Sequence, residues 1–220
     1  MIINKIAIFT PLPPSRTGIA DYAAEIGSEL EKYVEVVYVV SNDAEESTYI
    51  PTNGIVMKEH NFLSSEEASM LPRIYQMGNN LHHEFILKQV MEVPGIVVLH
   101  DYSMHHLFVE LTLARDDPKS YKEIMKYNYG EQGKIIADNR SQGIFNEIYQ
   151  FIFPLNQTVI DASKSILVHS YESFYRAKEQ ANSDTKVFKI SFPYKNEENN
   201  FLSTDTQEVK NKLNIPLDKI

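Results

Sequence analysis

Apolar residues in this chain fall into short β-rich runs separated by longer stretches of helical spacing. Lys5–Thr10 and Glu35–Val40 are nearly continuous apolar runs, the pattern of parallel strands covered on both faces. Between them, Ile19, Tyr22, Ala23, Ile26, Leu30 and Tyr33 recur at helical spacing, which predicts a helix over Gly18–Tyr33. Thr17 is its expected N-cap and Asp21 suits the first turn. Ile55–Lys58 and Arg73–Met77 read as shorter strands, Leu81–Met91 as a helix, Ile96–His100 as the central strand, and Met104–Leu113 as the next helix.

From Pro118 to Lys164 the pattern is mostly helical, with breaks expected at Gly130, Gly133, Gly143 and Pro154. Ile166–Ser170 and Lys186–Ile190 return as strands on either side of a helix over Tyr171–Gln180. Strands alternating with helices predict an α/β fold: a Rossmann-like parallel sheet covered by helices and joined by right-handed crossovers. The polar, acidic segment Lys195–Thr206 reads as a linker, and Gln207–Leu213 as the start of a further helix. The expected organisation is one domain over residues 1–194, with 195–220 a linker and the truncated start of a second domain. The chain reads as one domain of a longer protein.

Composition narrows the function classes. With 30 acidic against 21 basic residues the net charge is −9, which argues against nucleic acid as the main partner. The absence of cysteine excludes disulfides and thiolate metal sites, and fits the cytoplasm. Met1–Lys5 leads into a strand without a signal peptide, and no apolar run approaches the roughly 18 residues of a membrane span. The expectation is a soluble cytoplasmic protein.

Ligands of open parallel sheets sit beyond the carboxyl ends of the strands. Four polar clusters fall at such ends: the Thr10–Gly18 loop, Met77-Gly78-Asn79-Asn80, His100-Asp101 and His169-Ser170. The opening loop carries three prolines and one glycine, so it matches neither the dinucleotide fingerprint nor the P-loop. Two readings stay open for it. One is a proline-stiffened connection; the other is a ligand loop in which Gly18 admits close backbone approach, the helix N-terminus favours an anion, and Arg16 adds a phosphate contact. His100 leaves the sheet where the core ends, either holding a neighbouring backbone group or bonding a bound sugar or phosphate. Asp101 either orients His100 or caps the helix near Met104.

The adjacent pairs His82-His83 and His105-His106 point about 100° apart on a helix, so neither chelates readily, and no metal site is expected. Tyr121, Tyr127, Tyr129, Tyr149, Tyr171 and Tyr175 suit either an aromatic acceptor wall or helix packing. Phe145, Ile148, Tyr149, Ile152 and Phe153 look like core or a partner groove.

Taken in order, these stations resemble a known family. Pro13-Pro14-Ser15-Arg16-Thr17-Gly18-Ile19-Ala20-Asp21-Tyr22, Tyr75–Asn80 with His83, and Pro94–Asp101 with His105 are similar to the N-terminal domain of family-4 glycosyltransferases. Tyr129–Gly133 and Val168-His169-Ser170 extend the likeness over nearly the whole chain. Such enzymes have the GT-B architecture, two Rossmann-like domains facing across a cleft. They move a hexose from a nucleotide-sugar to an acceptor with retention of configuration, and need neither a cofactor nor a metal. The resemblance implies an acceptor-side domain for polysaccharide biosynthesis, with a glycan or lipid-linked acceptor and peripheral membrane association of the parent. It puts Gly18, with Arg16 and Thr17, near the donor phosphate and His100, with Asp101, at the transferred sugar. Asn79, Asn80 and His83 would line the neighbouring wall, and His169 and Ser170 at the later strand end complete the candidate substrate-binding set.

The family's nucleotide-holding C-terminal domain, with its paired glutamates, has no counterpart in this sequence, so the chain alone is expected to be inactive. A non-catalytic Rossmann-like module binding glycans or a protein is the alternative. A nucleotide-dependent oxidoreductase is a third reading, disfavoured by the missing glycine fingerprint.

Overall fold

The computed structural model describes residues 3–192 and Pro216. Seven strands form one parallel sheet: β1 (Lys5–Phe9), β2 (Glu35–Val40), β3 (Gly54–Lys58), β4 (Arg73–Met77), β5 (Ile96–Leu99), β6 (Ser165–Val168) and β7 (Lys186–Lys189), in the order β3-β2-β1-β4-β5-β6-β7. The predicted α/β Rossmann-like class is the observed one. The expected linker 195–206 and the helix Gln207–Leu213 lie outside the described residues.

Alternation along each strand sends side chains into two different cores. Ala7, Phe9, Val37, Val39, Tyr75, Met77, Val97, Leu99, Ile166 and Val168 share one. Ile6, Ile8, Val36, Tyr38 and Val40 share the other. The first layer is built by α2 (Glu59–Ser64), α3 (Glu66–Ser69), α4 (Glu84–Glu92), α5 (His105–Leu111), α6 (Pro118–Ser141), α8 (Gln157–Asp161) and α9 (Tyr171–Gln180). The second is closed by α1 (Gly18–Leu30), through Ala23 and Leu30. On that second face, among the described residues, Ile96 of β5 is 41% and Phe188 of β7 51% exposed, while Val98 of β5 is buried.

Several boundaries differ from expectation, each for a local reason. Helix α1 stops at Leu30 rather than Tyr33, which is exposed, because Glu31 turns its carboxylate onto the Thr52–Asn53 turn. The segment predicted as one helix over Leu81–Met91 opens with a 3₁₀ turn, Leu81–His83, before α4. Strands β1 and β5 end one residue early, and the Met104–Leu113 helix shortens to α5. Helices α2 and α3 were not anticipated; Ser65, whose hydroxyl accepts from the Ala68 amide, and the following Glu66-Glu67 are the start signal for α3.

The long helical region reverses on itself. Gly130 sits inside α6 at φ +60°, ψ −145°, and the chain folds back there. Lys122 reaches Asp138 at 2.5 Å, a pairing that a straight helix would hold some 24 Å apart. The break at Gly130 was expected. Gly133 is helical and marks a close approach instead, since a Cβ there would lie 2.1 Å from the Met125 carbonyl oxygen. Helix α7 (Tyr149–Ile152) follows Gly143, itself at φ +79°.

Candidate functional site

The chain runs outward from β1 through β2 to β3 and returns across the sheet to β4. The reversal places a crevice between β1 and β4 at their carboxyl ends, the usual ligand position of such sheets. Both flanking loops belong to the predicted clusters.

After β1, the opening loop is tied to the segment beyond β2. The Ser47 hydroxyl and the Thr48 amide both donate to the Pro13 carbonyl at 2.9 Å. Thr17 is the N-cap of α1, its hydroxyl accepting from the Ala20 amide at 3.1 Å. Gly18 follows as the first helical residue, and a Cβ built on it would meet nothing within 4 Å. Residues 13–18 and Asp21 line a cavity of about 500 Å³, with Arg16 exposed at its rim. An adjoining groove of about 1010 Å³ carries four carboxylates, of Asp43, Glu45, Glu59 and Glu84, against Arg16 and Lys88. The smaller cavity thus sets one cation, Arg16, and a helix N-terminus against one carboxylate, Asp21, while the groove is net acidic.

Across the crevice, Gly78 lets the two loops meet. A Cβ there would lie 2.5 Å from Ile19 Cδ1 and 2.7 Å from the His83 ring. Asn79 is spent on architecture: its amide donates to Asp101 Oδ2 at 3.0 Å and its Oδ1 accepts from the Leu107 amide at 2.9 Å. Asn80 Oδ1 caps the 3₁₀ turn through the His82 amide and meets His83 Nδ1, both at 3.0 Å. His83 is fully buried, its Nε2 has no partner among the described residues, and burial lowers its pKa to about 4 against the opposing pull of Asn80.

His100 leaves β5 beside Tyr22 of α1, whose ring meets the imidazole edge-on with centroids 4.6 Å apart. His169, after β6, lies 5.3 Å from both rings. Phe192 closes the cluster at 5.3 Å from Tyr22 and 5.2 Å from His169. His100 Nε2 meets Oε1 of buried Gln76 at 2.7 Å. Burial, then the neighbouring His169 and His83, drive the His100 pKa down to about 3. Burial also lowers His169 and raises the Tyr22 phenol to about 12. All these groups are neutral near pH 7.

Comparison adds nothing to this geometry. No family model, curated protein or solved structure matches the chain.

The predicted residues thus divide. Gly18 lines the loop cavity, His83 is buried against Gly78, and His100 and His169 pack together with Tyr22. Asp101 is exposed and neither orients His100, which turns to Gln76, nor caps α5, which has no side-chain cap. It fixes Asn79 instead. Ser170 is the N-cap of α9, accepting from the Ser173 amide at 3.0 Å. Among the described residues, no group of three or more His, Asp or Glu side chains is arranged to hold a metal.

Sequence reasoning missed the roles of Gln76 and Phe192 and understated Tyr22. The signal for Gln76 was a lone amide inside the apolar run of β4, where a buried polar group needs a partner. The tyrosines form no single wall: Tyr121 is buried, while Tyr127, Tyr171 and Tyr175 are exposed. Phe145, Ile148 and Ile152, expected as core or groove, are each 50–53% exposed.

Proposed function

We propose that this chain is the acceptor-side domain of a retaining, nucleotide-sugar-dependent glycosyltransferase, with the crevice between the opening loop and His100 as its half of the transfer site. The observation that carries the reading is His100 at the carboxyl end of β5, bonded to Gln76 and packed on Tyr22 of α1, the helix whose N-terminus at Gly18 is uncrowded. Sugar transfer develops positive charge on the sugar and negative charge on the departing phosphate. A helix N-terminus at Gly18 stabilises the latter, and a neutral imidazole bonds a sugar hydroxyl without repelling the cationic centre. Both roles are positional, with no covalent step assigned to the protein.

Under this reading the donor is held chiefly by a second domain, the acceptor is a glycan or lipid-linked sugar, and no metal or cofactor takes part. The test is sugar transfer by the full-length parent from a panel of nucleotide-sugars, with His100→Ala expected to reduce turnover at least a hundredfold. Near-normal turnover in a folded variant removes His100 from the site. No transfer from any donor, together with glycan binding by this chain, favours the non-catalytic module.

A further inference from the structure

Away from the crevice, a second cavity of about 300 Å³ is lined by His105, His106, Val109, Arg140, Phe145, Glu147 and Gln150. Arg140, near the end of the second arm of α6, dominates it. The guanidinium carbon lies 4.5 Å from the Phe145 ring centroid and 5.6 Å from that of Tyr121. Nη1 lies 3.4 Å from His105 Nε2. His105 is itself pinned: its Nδ1 meets the Phe153 carbonyl at 2.6 Å and its Nε2 the Tyr121 hydroxyl at 2.9 Å. Because a carbonyl can only accept, Nδ1 carries the proton and Nε2 is a neutral acceptor.

The side chains recorded against the Arg140 guanidinium among the described residues, His105, Tyr121 and Phe145, are therefore uncharged. Arg115 and Arg176 have carboxylate partners in Glu84 and Glu172, whereas no salt bridge reaches Arg140 among the described residues. Glu147 lines the same cavity without pairing to it, on an exposed loop. A half-buried, permanently charged guanidinium set against two aromatic rings, in a protein of net charge −9, is an anchored fork with no salt-bridge partner among the described residues.

We propose that the Arg140 cavity binds a compact oxyanion, a phosphate monoester or carboxylate, through the guanidinium edge, with His106 and Gln150 as flanking donors. His105 opens α5 five residues beyond His100, so the cavity lies on the same carboxyl-end side of the sheet as the crevice. The oxyanion is then a substituent of the acceptor sugar, and the acceptor is an anionic sugar. Assigning the anion to the acceptor rests on the transferase reading; the anion site itself does not.

The experiment is calorimetric and NMR titration of the 220-residue chain with glucose 6-phosphate, glucuronate, inorganic phosphate and glucose. Binding of one anionic sugar at least tenfold tighter than glucose is expected, and which one wins separates phosphate from carboxylate. Arg140→Gln should abolish that preference, and Arg140→Lys should keep part of it. Lys164→Gln, an exposed cation elsewhere, should leave it unchanged. Equal affinity for charged and neutral sugars, or a preference surviving Arg140→Gln, overturns the site. If Arg140→Gln fails to fold, the Arg140 Nε–H resonance of the wild-type chain decides: a shift on titration supports the site, and none refutes it. Anion binding by this chain with no transfer by the parent refutes the transferase reading and leaves the site standing.

Discussion

His100 and Gln76 meet at 2.7 Å, imidazole Nε2 to amide Oε1, across the adjacent strands β5 and β4. With the amide oxygen on that side, Nε2 carries the proton and Nδ1 is left as an acceptor. Gln76 is 2% exposed, so it has no freedom to turn away. The pair sets ring orientation and tautomer together. Burial keeps the ring neutral, its pKa held at about 3.

Changing Gln76 should therefore alter His100 without touching substrate. In Gln76→Glu the added carboxylate favours the imidazolium and raises the His100 pKa. Transfer by the parent should then fall on the acid side as the ring protonates, a limb absent from the wild type above about pH 5. Gln76→Leu keeps the ring neutral but frees it, and should lower kcat by about tenfold, or about 1.4 kcal/mol. An NMR titration of the His100 ring reads the pKa shift directly. An unmoved pKa in Gln76→Glu would break the proposed coupling.

Gly18, in the loop after β1, and Gly78, in the loop after β4, have opposite tolerances. A Cβ at Gly18 meets nothing, so Gly18→Ala should preserve or slightly raise stability, alanine being about 1 kcal/mol the better helix former. If the backbone there must approach a donor phosphate, the same change raises KM for the nucleotide-sugar in the parent. At Gly78 the added methyl strikes Ile19 and His83, so Gly78→Ala should destabilise by about 1–3 kcal/mol. Thermal melts of both variants, paired with donor kinetics, separate the roles. Unchanged donor KM in Gly18→Ala would mean that the open space serves no ligand.

Much of this frame was legible because burial dictates it. Runs such as Ile6–Phe9 and Val36–Val40 are apolar on both sides, and only a strand inside two layers satisfies them. Thr17, Gly18 and His100 were legible as strand-end features for the same reason. Partner choice was not. Asp101 had a nearer imidazole in sequence and went to Asn79, while His100 took Gln76, 24 residues earlier. Such pairings depend on strand register, which brings Gln76 beside Val98 and is invisible to local pattern. Glu31 likewise read as part of an ordinary helix end, yet it gathers Tyr38, Tyr49, Thr52 and Asn53 from beyond it.

The reversal at Gly130 makes a sharper test of backbone than of contacts. At φ +60°, ψ −145° a side chain is strained whatever room surrounds it, and a Cβ there meets nothing within 4 Å. Gly130→Ala should destabilise by about 1–3 kcal/mol from conformation alone. The Lys122–Asp138 pair that spans the turn is half-exposed, so Lys122→Ala should lose under about 1 kcal/mol. Urea denaturation of both variants ranks the two effects. A larger loss in Lys122→Ala would show that the ion pair, not the glycine, holds the hairpin.

Acid should unfold this chain through its histidines before it reaches its carboxylates. His83, His100 and His105 have folded pKa values of about 4, 3 and 4, each lowered first by burial from the ordinary 6.5. The unfolded chain takes up these protons first, so their stabilising effect is complete above about pH 6.5. It is lost as pH falls towards the folded values, at about 1.4 kcal/mol per pH unit for each proton. Three such groups make the slope between pH 6 and 4 about 4 kcal/mol per unit, enough to exhaust a typical domain. Glu31 works lower. Burial pushes its carboxyl up, but bonds from Thr52, Tyr38, Tyr49 and Asn53 outweigh that and bring it down to about 2. Its contribution is present above about pH 4.5 and disappears towards pH 2. Glu31→Gln should therefore lower stability at pH 7 by about 3 kcal/mol while leaving the slope between pH 7 and 5 unchanged. His105→Gln should reduce that slope by about a third, whatever it does to stability at pH 7. Urea midpoints measured from pH 8 to 4 check both, and a flat wild-type profile between pH 7 and 5 would contradict the buried neutral histidines.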